Sequence, residues 1–201
     1  MKKINKDISL ANTLTGDFYC SDTIFNDLKV KVFERSWQYI CSDADLKIKN
    51  SVVPFVLLDK FISEPLMLIK NSYKISCLSN VCTHRGNILV DKKTIFNGNI
   101  VCGYHGRSFN KNGDFVSMPE TKDIKNFPCI DDNLSNINLE NWFQFIFISL
   151  DPVISFDKII SDMSGRISWM PIDKFILRED LSKSYTIDAN WALYCDNYLE
   201  G

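Results

Sequence analysis

The chain has 201 residues, 45% of them apolar and 24% charged, with a formal net charge of −2. That balance is ordinary for a globular protein with one good core, or one domain plus part of another, and it gives no electrostatic footing for nucleic acid. The start, MKKINKDISL, has lysines without an apolar run behind them, and the longest apolar run, FQFIFISL (Phe143–Leu150), is far too short to cross a bilayer. The expectation is a cytoplasmic protein with no membrane segment, whose seven cysteines are thiols or metal ligands.

In chain order, SDTIFNDLKVKVFERSW (Ser21–Trp37) reads as a helix capped by Ser21 or Asp22, with Ile24, Phe25, Leu28, Val32 and Phe33 recurring on one face. From Gln38 the texture changes to short apolar or alternating runs. VPFVLLD, PLMLIK and YKISCLS read as strands, with Asn71-Ser72 as the turn between the last two. RSFNKNGDFV carries Asn112-Gly113 between apolar residues, a hairpin signal. NWFQFIFISLD (Asn141–Asp151) reads as one buried strand, ended by Asp151-Pro152. Beyond it, KSYTIDA (Lys183–Ala189) is a further strand expectation, and NWALYCDNYLEG reads as a helix capped by Asn190. The division expected is a helical segment over 1–37, an all-β domain over 38–152, and the start of another domain over 153–201.

Two short motifs carry chemistry. The chain's only histidines sit in Cys82-Thr83-His84 and Cys102-Gly103-Tyr104-His105, with 17 residues between His84 and Cys102. Thiolate and imidazole both bind borderline and soft metals, so two of each point to a four-ligand site made of Cys82, His84, Cys102 and His105. A zinc finger pairs cysteine with cysteine and histidine with histidine; here each arm supplies one of each. A Rieske-type 2Fe–2S cluster, with two thiolates on one iron and two imidazoles on the other, suits that apportionment better. Gly86, Gly103 and Gly106 allow the tips to turn tightly near the sulfurs.

CTHRG and CGYHG strongly resemble the two cluster-binding boxes of Rieske iron–sulfur proteins. Rieske proteins of respiratory complexes usually add a cysteine to each box, and a serine and a tyrosine after the second. Asn87, Tyr104, Arg107 and Phe109 stand at those positions here, so the resemblance implies a low-potential centre of the oxygenase or ferredoxin kind. TGDFYCSDTIFNDLKVKVFERSWQYI, PLMLIKNSYKISCLSNVCTHRG and NGNIVCGYHGRSFNKNGDF extend the likeness to the large (alpha) subunits of Rieske non-haem iron oxygenases, of ring-hydroxylating or choline-monooxygenase type. One departure is Arg107, where many members have tryptophan.

NWALYCDNYLEG resembles the segment that opens the family's mononuclear iron site, which places Glu200 where the family has its bridging carboxylate and brings Asp196 and Asn197 close to it by helical spacing. The fold so implied is mainly β, a Rieske β-sandwich flanked by α/β pieces of an α+β catalytic domain. The implied cofactors are a 2Fe–2S cluster and, only in a longer protein, a mononuclear non-haem Fe(II). That iron needs two histidines and a carboxylate, and the cluster claims both histidines, so the chain reads as the N-terminal, by itself inactive, portion of an oxygenase subunit. The implied partners are a ferredoxin or a flavin/NAD(P)H reductase, O2, and a small aromatic or quaternary-amine substrate, with a homo-oligomer (trimer) at full length. A stand-alone ferredoxin-like carrier is the alternative, and a structural zinc module a distant third. Cys20, Cys41, Cys77, Cys129 and Cys195 read as small buried hydrophobes, Trp37, Trp142, Trp169 and Trp191 as packing residues, and Arg85 and Arg107 as exposed.

Overall fold

The computed structural model of the chain describes residues 4–72 and 74–199. Among them, residues 34–177 form one compact unit, and residues up to 33 together with those from 178 form a second.

Every strand pairing in the larger unit is antiparallel. Its strands are β1 (Gln38–Ser42), β2 (Ser51–Leu57), β3 (Glu64–Lys70), β4 (Ile75–Ser79), β5 (Thr94–Ile95), β6 (Ile100–Val101), β7 (Ser108–Phe109), β8 (Phe115–Ser117), β9 (Asn136–Trp142) and β10 (Phe145–Ser149). Seven pair in the order β1-β10-β9-β4-β3-β2-β5, and β6-β7-β8 make a small second sheet. The apolar run in PLMLIK is explained by β3 being covered on both faces: Leu66, Met67, Leu68 and Ile69 are all fully buried. Successive side chains on a strand point to opposite faces. Accordingly Leu66 and Leu68 pack with Leu46, Leu57, Ile75, Cys77, Ile146 and Ile148, while Met67 and Ile69 pack with Val52, Leu78, Ile100 and Phe109. The register agrees, setting Leu68 opposite Cys77, Met67 opposite Leu78 and Val52 opposite Ile69. The second of these cores also contains Cys82 and Cys102.

Two turns join these strands as the sequence predicts. At Asn71-Ser72 the Asn71 amide donates to the Lys74 carbonyl at 3.0 Å, and the Lys74 amide donates back to Asn71 Oδ1 at 2.9 Å; Tyr73, expected at the head of the following strand, lies outside the described residues. At Asn112-Gly113, Gly113 takes φ +91° and Asn110 Oδ1 accepts from the amides of Asn112 and Asp114. Both sheets are as the mainly-β reading requires, and α3 (Phe156–Ile167) follows them.

Four expectations are corrected. The single strand over Asn141–Asp151 is a hairpin: β9 ends at Trp142, Trp142 pairs with Phe145, and Phe143 turns the chain with φ +50°. That turn has no glycine or Asn-Gly signal. It is held from outside, by Gln144 Nε2 donating to the Ile172 and Phe175 carbonyls and by the Asp43 amide donating to the Gln144 carbonyl. KSYTIDA forms no strand; Tyr185 and Ile187 are exposed and its alternation finds no partner strand among the described residues. Trp169 is 79% exposed and packs nothing, whereas Trp37 stacks edge-on against Phe156. Of the five cysteines outside the motifs only Cys77 is buried, with Cys41 half-buried; Cys20, Cys129 and Cys195 are exposed, because each lies outside the strand interiors that bury the other two.

The smaller unit contains α1 (Gly16–Cys20), α2 (Asp22–Leu28) and α4 (Trp191–Leu199). Ser21 caps α2 by accepting from the Ile24 amide, but the helix widens into a π turn over Lys29–Phe33 instead of continuing to Trp37, and none of its expected apolar face is fully buried. Asn190 caps α4 as expected, accepting from the Ala192 amide at 2.9 Å, while its Nδ2 donates to the Tyr19 carbonyl. Among the described residues no helix is long and apolar enough to cross a membrane.

Two outcomes test this packing. A Cβ at Gly113 would meet Leu78 Cδ2 at 3.2 Å and Leu134 at 3.3 Å, at a φ that L residues avoid, so Gly113→Ala lowers stability by about 1–3 kcal/mol in urea unfolding. Burial pushes the Cys77 thiol up to about 12 and the Cys41 thiol up to about 11. A raised value leaves little thiolate at pH 8. Brief iodoacetamide treatment of the folded protein, followed by peptide mass spectrometry, therefore labels Cys20, Cys129 and Cys195 and spares Cys77 and Cys41.

Candidate metal centre

The two motifs form the tips of two loops, one between β4 and β5 and one between β6 and β7. The first is fastened at its base by Asn80, a buried side chain whose Nδ2 donates to the Val90 carbonyl at 2.7 Å and whose Oδ1 accepts from the Val90 amide at 3.0 Å. A carboxamide suits this post because it presents a donor and an acceptor side by side.

Above their bases the tips are closed by the same two bonds. The Cys82 amide donates to the Asn87 carbonyl at 2.8 Å, and the Gly86 amide donates to the Cys82 carbonyl at 3.0 Å. The Cys102 amide donates to the Arg107 carbonyl at 2.7 Å, and the Gly106 amide donates to the Cys102 carbonyl at 3.1 Å. Each turn needs a left-handed residue, supplied by Gly86 at φ +70° and Gly106 at φ +73°. Gly103, expected to share this duty, has no positive φ; its tip turns on Gly106 alone.

The four predicted ligands come together. Cys82 and Cys102 are 2% and 3% exposed, whereas His84 is half-buried and His105 exposed. The imidazoles meet edge-on, with ring centroids 4.8 Å apart, and Tyr104 lies over His105 at 3.8 Å. Asn87 reaches across from the first tip and donates its Nδ2 to Cys102 Sγ at 3.7 Å. Among the described residues no three His, Cys, Asp or Glu side chains are arranged to hold a single ion. The donors are grouped two and two instead, the thiols inward and the imidazoles outward, which fits a two-iron cluster with unlike ends.

The electrostatics favour the ligand form at Cys102 and His84 and oppose it at Cys82. Burial chiefly pushes the Cys82 thiol up. Burial also opposes ionisation of Cys102, but the Tyr104 amide, the Cys82 thiol, the His105 amide and Asn87 together hold it below its ordinary value. Thiolate is the form that binds metal. Burial, then the neighbouring His105, Arg85 and Arg107, push His84 down toward the neutral imidazole that ligates iron.

Arg107 is a further correction. It is 3% exposed, not solvated, and its guanidinium lies over Phe115, Phe127 and Phe109 at 5.0, 5.6 and 5.9 Å while pairing with the Asp132 carboxylate. A planar, weakly hydrated cation stacks on aromatic faces in a way that a lysine does not. Asn80 and Asp132 went unremarked in the sequence, and Asn87 stands there only as a position lacking a cysteine, because each acts at a distance along the chain. In the smaller unit, Asp196 on α4 accepts from the Tyr19 hydroxyl and Asn197 is exposed, while Glu200 lies outside the described residues.

Residues 36–128 match the family model of the Rieske [2Fe-2S] domain. Over 190 residues the chain is 26% identical to the carnitine monooxygenase oxygenase subunit of Escherichia coli (strain K12), which covers 94% of this chain and 50% of that protein. It is 30% identical over 208 residues to the chloroplastic choline monooxygenase of Arabidopsis thaliana, covering 95% of this chain and 47% of that one. The structure of the quaternary ammonium Rieske monooxygenase CntA in complex with substrate gamma-butyrobetaine is alike in fold, with a TM-score of 0.76 at 23% identity over 94% of this chain and 54% of that one. The chain spans about half the length of the curated relatives it matches. Fold and site thus define a Rieske iron–sulfur protein. Beyond the matched domain, the likeness runs over nearly the whole chain to the carnitine monooxygenase oxygenase subunit and to choline monooxygenase.

Asn80 is the cheapest point at which to test the first tip. Asn80→Ala strands a buried amide and a buried carbonyl of Val90, and should lower stability by about 1–3 kcal/mol in urea unfolding. Asn80→Asp sets an oxygen against the Val90 carbonyl and buries a charge, so it should be at least as destabilising.

Proposed function

We propose that Cys82, His84, Cys102 and His105 hold a Rieske-type 2Fe–2S cluster, and that the chain is the electron-transfer part of an oxygenase acting on a small organic substrate. The observation that carries this reading is the pair of congruent tips, with thiols buried together and imidazoles meeting at the surface. Such a cluster takes up and gives back one electron at a time, at a potential set by its ligands and surroundings. The chain's own part is to exclude water from the thiol end, to fix the tips by the two amide–carbonyl closures, and to keep the imidazole end open to a partner.

A quaternary amine is the substrate class favoured over an aromatic ring, because the two relatives compared above, which match 94% and 95% of this chain, are carnitine and choline monooxygenases. A ferredoxin or a flavin/NAD(P)H reductase is the expected donor, and a trimer the expected assembly of the whole protein. Mononuclear Fe(II) chemistry belongs to that whole protein: this reading commits both histidines of the chain to the cluster. In it, Glu200 bridges to the iron site, and Asp196 and Asn197 of α4 support it. The second reading is a stand-alone carrier of ferredoxin type.

Both readings are tested on protein isolated from its own cells. The reduced protein should give an EPR signal with a lower average g than an all-cysteine ferredoxin, and His84→Ala or Cys102→Ser should abolish it. Colourless protein holding zinc overturns the ligand assignment. Oxygen uptake that depends on a quaternary amine and a reductase supports the oxygenase. A protein that exchanges electrons with a ferredoxin, yet consumes no oxygen with either substrate class, supports the carrier.

A further inference from the structure

One residue outside both motifs touches the inside of the first and the residue that closes the tip of the second. Asp132 ends a short 3-10 turn, Ile130–Asp132, that follows the second sheet. Its main-chain carbonyl accepts from Thr83 Oγ1 at 2.8 Å, and Thr83 lies between Cys82 and His84. Its carboxylate pairs with Arg107 through one oxygen and accepts from the Cys129 amide through the other, at 2.7 Å. Arg107 is two residues past His105, and its carbonyl is the acceptor that closes the second tip.

The turn is itself rooted. Asn133 Oδ1 accepts from the Phe115 amide at 2.7 Å, and the Leu134 amide donates to the Gly113 carbonyl at 2.8 Å. Asp132 therefore stands on the β7–β8 hairpin and grips both tips from below. The charge balance is equally local. Arg107 is fully enclosed and its Nε has no partner, so the Asp132 carboxylate is the group that neutralises it. A buried guanidinium without that partner is strongly unfavourable.

We propose that Asp132 is a positioning residue for the metal centre, fixing the separation of the two tips by its carbonyl on Thr83 and its carboxylate on Arg107, and cancelling the charge under the second tip. The proposal rests on the reading of the tips as Rieske cluster ligands. It deepens that reading by adding a residue that neither motif contains.

The test compares the cluster-bearing protein with its Asp132→Asn, Arg107→Met and Thr83→Val variants, by EPR-monitored redox titration and by the rate of iron loss to a chelator. Asp132→Asn leaves the guanidinium unbalanced, which favours the more negative, reduced cluster, so the midpoint potential rises. Arg107→Met leaves the carboxylate unbalanced, and the midpoint falls. Loosened tips alone would move both midpoints the same way, so opposite shifts are the signature of the charge pair. Thr83→Val changes no charge at an exposed position and should release iron on the order of 10-fold faster, the usual cost of removing an outer support.

Midpoints that shift in one direction together, or three variants that match the parent in potential and iron release, overturn the proposal while the ligand reading stands. If Asp132→Asn and Arg107→Met do not fold, Thr83→Val decides alone: unchanged iron release overturns the proposal. A parent protein without the mixed-ligand EPR signal overturns both readings.

Discussion

Leu66, Met67, Leu68 and Ile69 are buried without exception, and a strand with that pattern has to be covered on both faces. Four such side chains contribute roughly 6–12 kcal/mol of burial free energy before the entropy of ordering them is subtracted, which is as large as the whole net stability of a domain. The chain supplies one cover from β1 and β10 and the turn before β2, and the other from the small sheet and the loops that carry the motifs. Cys82 and Cys102 are members of that second cover. The proposed ligands and the core packing thus share a face, and the thiols are dry because β3 is buried.

The tips turn this seat into a directional site. Both close by the same amide-to-carbonyl bonds, yet the first places histidine two residues after its cysteine and the second places it three after. The imidazoles still meet, 4.8 Å apart, at the outer side of the buried thiols. A centre so arranged is protected at one end and reachable at the other, which is what electron exchange with another protein asks of it. The respiratory Rieske proteins, from which these boxes depart, usually add a cysteine at two positions of the tips. Here Asn87 stands at one of those positions and spans the tips with a hydrogen bond to Cys102 Sγ.

What could be read from the sequence is what local chemistry encodes. The two Cys–His tips, the Asn112-Gly113 hairpin, the β2–β4 strands and the Asn190 cap each depend on residues within a few positions of one another. The failures are cases where distant contacts decide. The turn at Phe143–Gln144 is fixed by Ile172, Phe175 and Asp43, and nothing in NWFQFIFISLD announces it. KSYTIDA alternates like a strand, but alternation without a partner edge makes none. Exposed Cys20, Cys129 and Cys195 show that residue type alone is a weak guide to burial where the chain lies outside the strands.

Arg107 is the most instructive of these cases. Many relatives of the motif have tryptophan at this point, so the resemblance implies a slot shaped for a flat, largely apolar ring. Phe109, Phe115 and Phe127 provide such a slot, and a guanidinium is the one cationic side chain flat enough to enter it. The charge is a separate difficulty, because aromatic faces recover only part of what is lost when a cation leaves water. Asp132 resolves it, and the Cys129 amide with the Arg107 guanidinium in turn holds that carboxyl below the usual carboxylate range, so the pair stays ionised. Arginine at 107 is therefore tolerable only together with a carboxylate at 132, and the two positions, 25 residues apart in sequence, form one unit beneath the second tip.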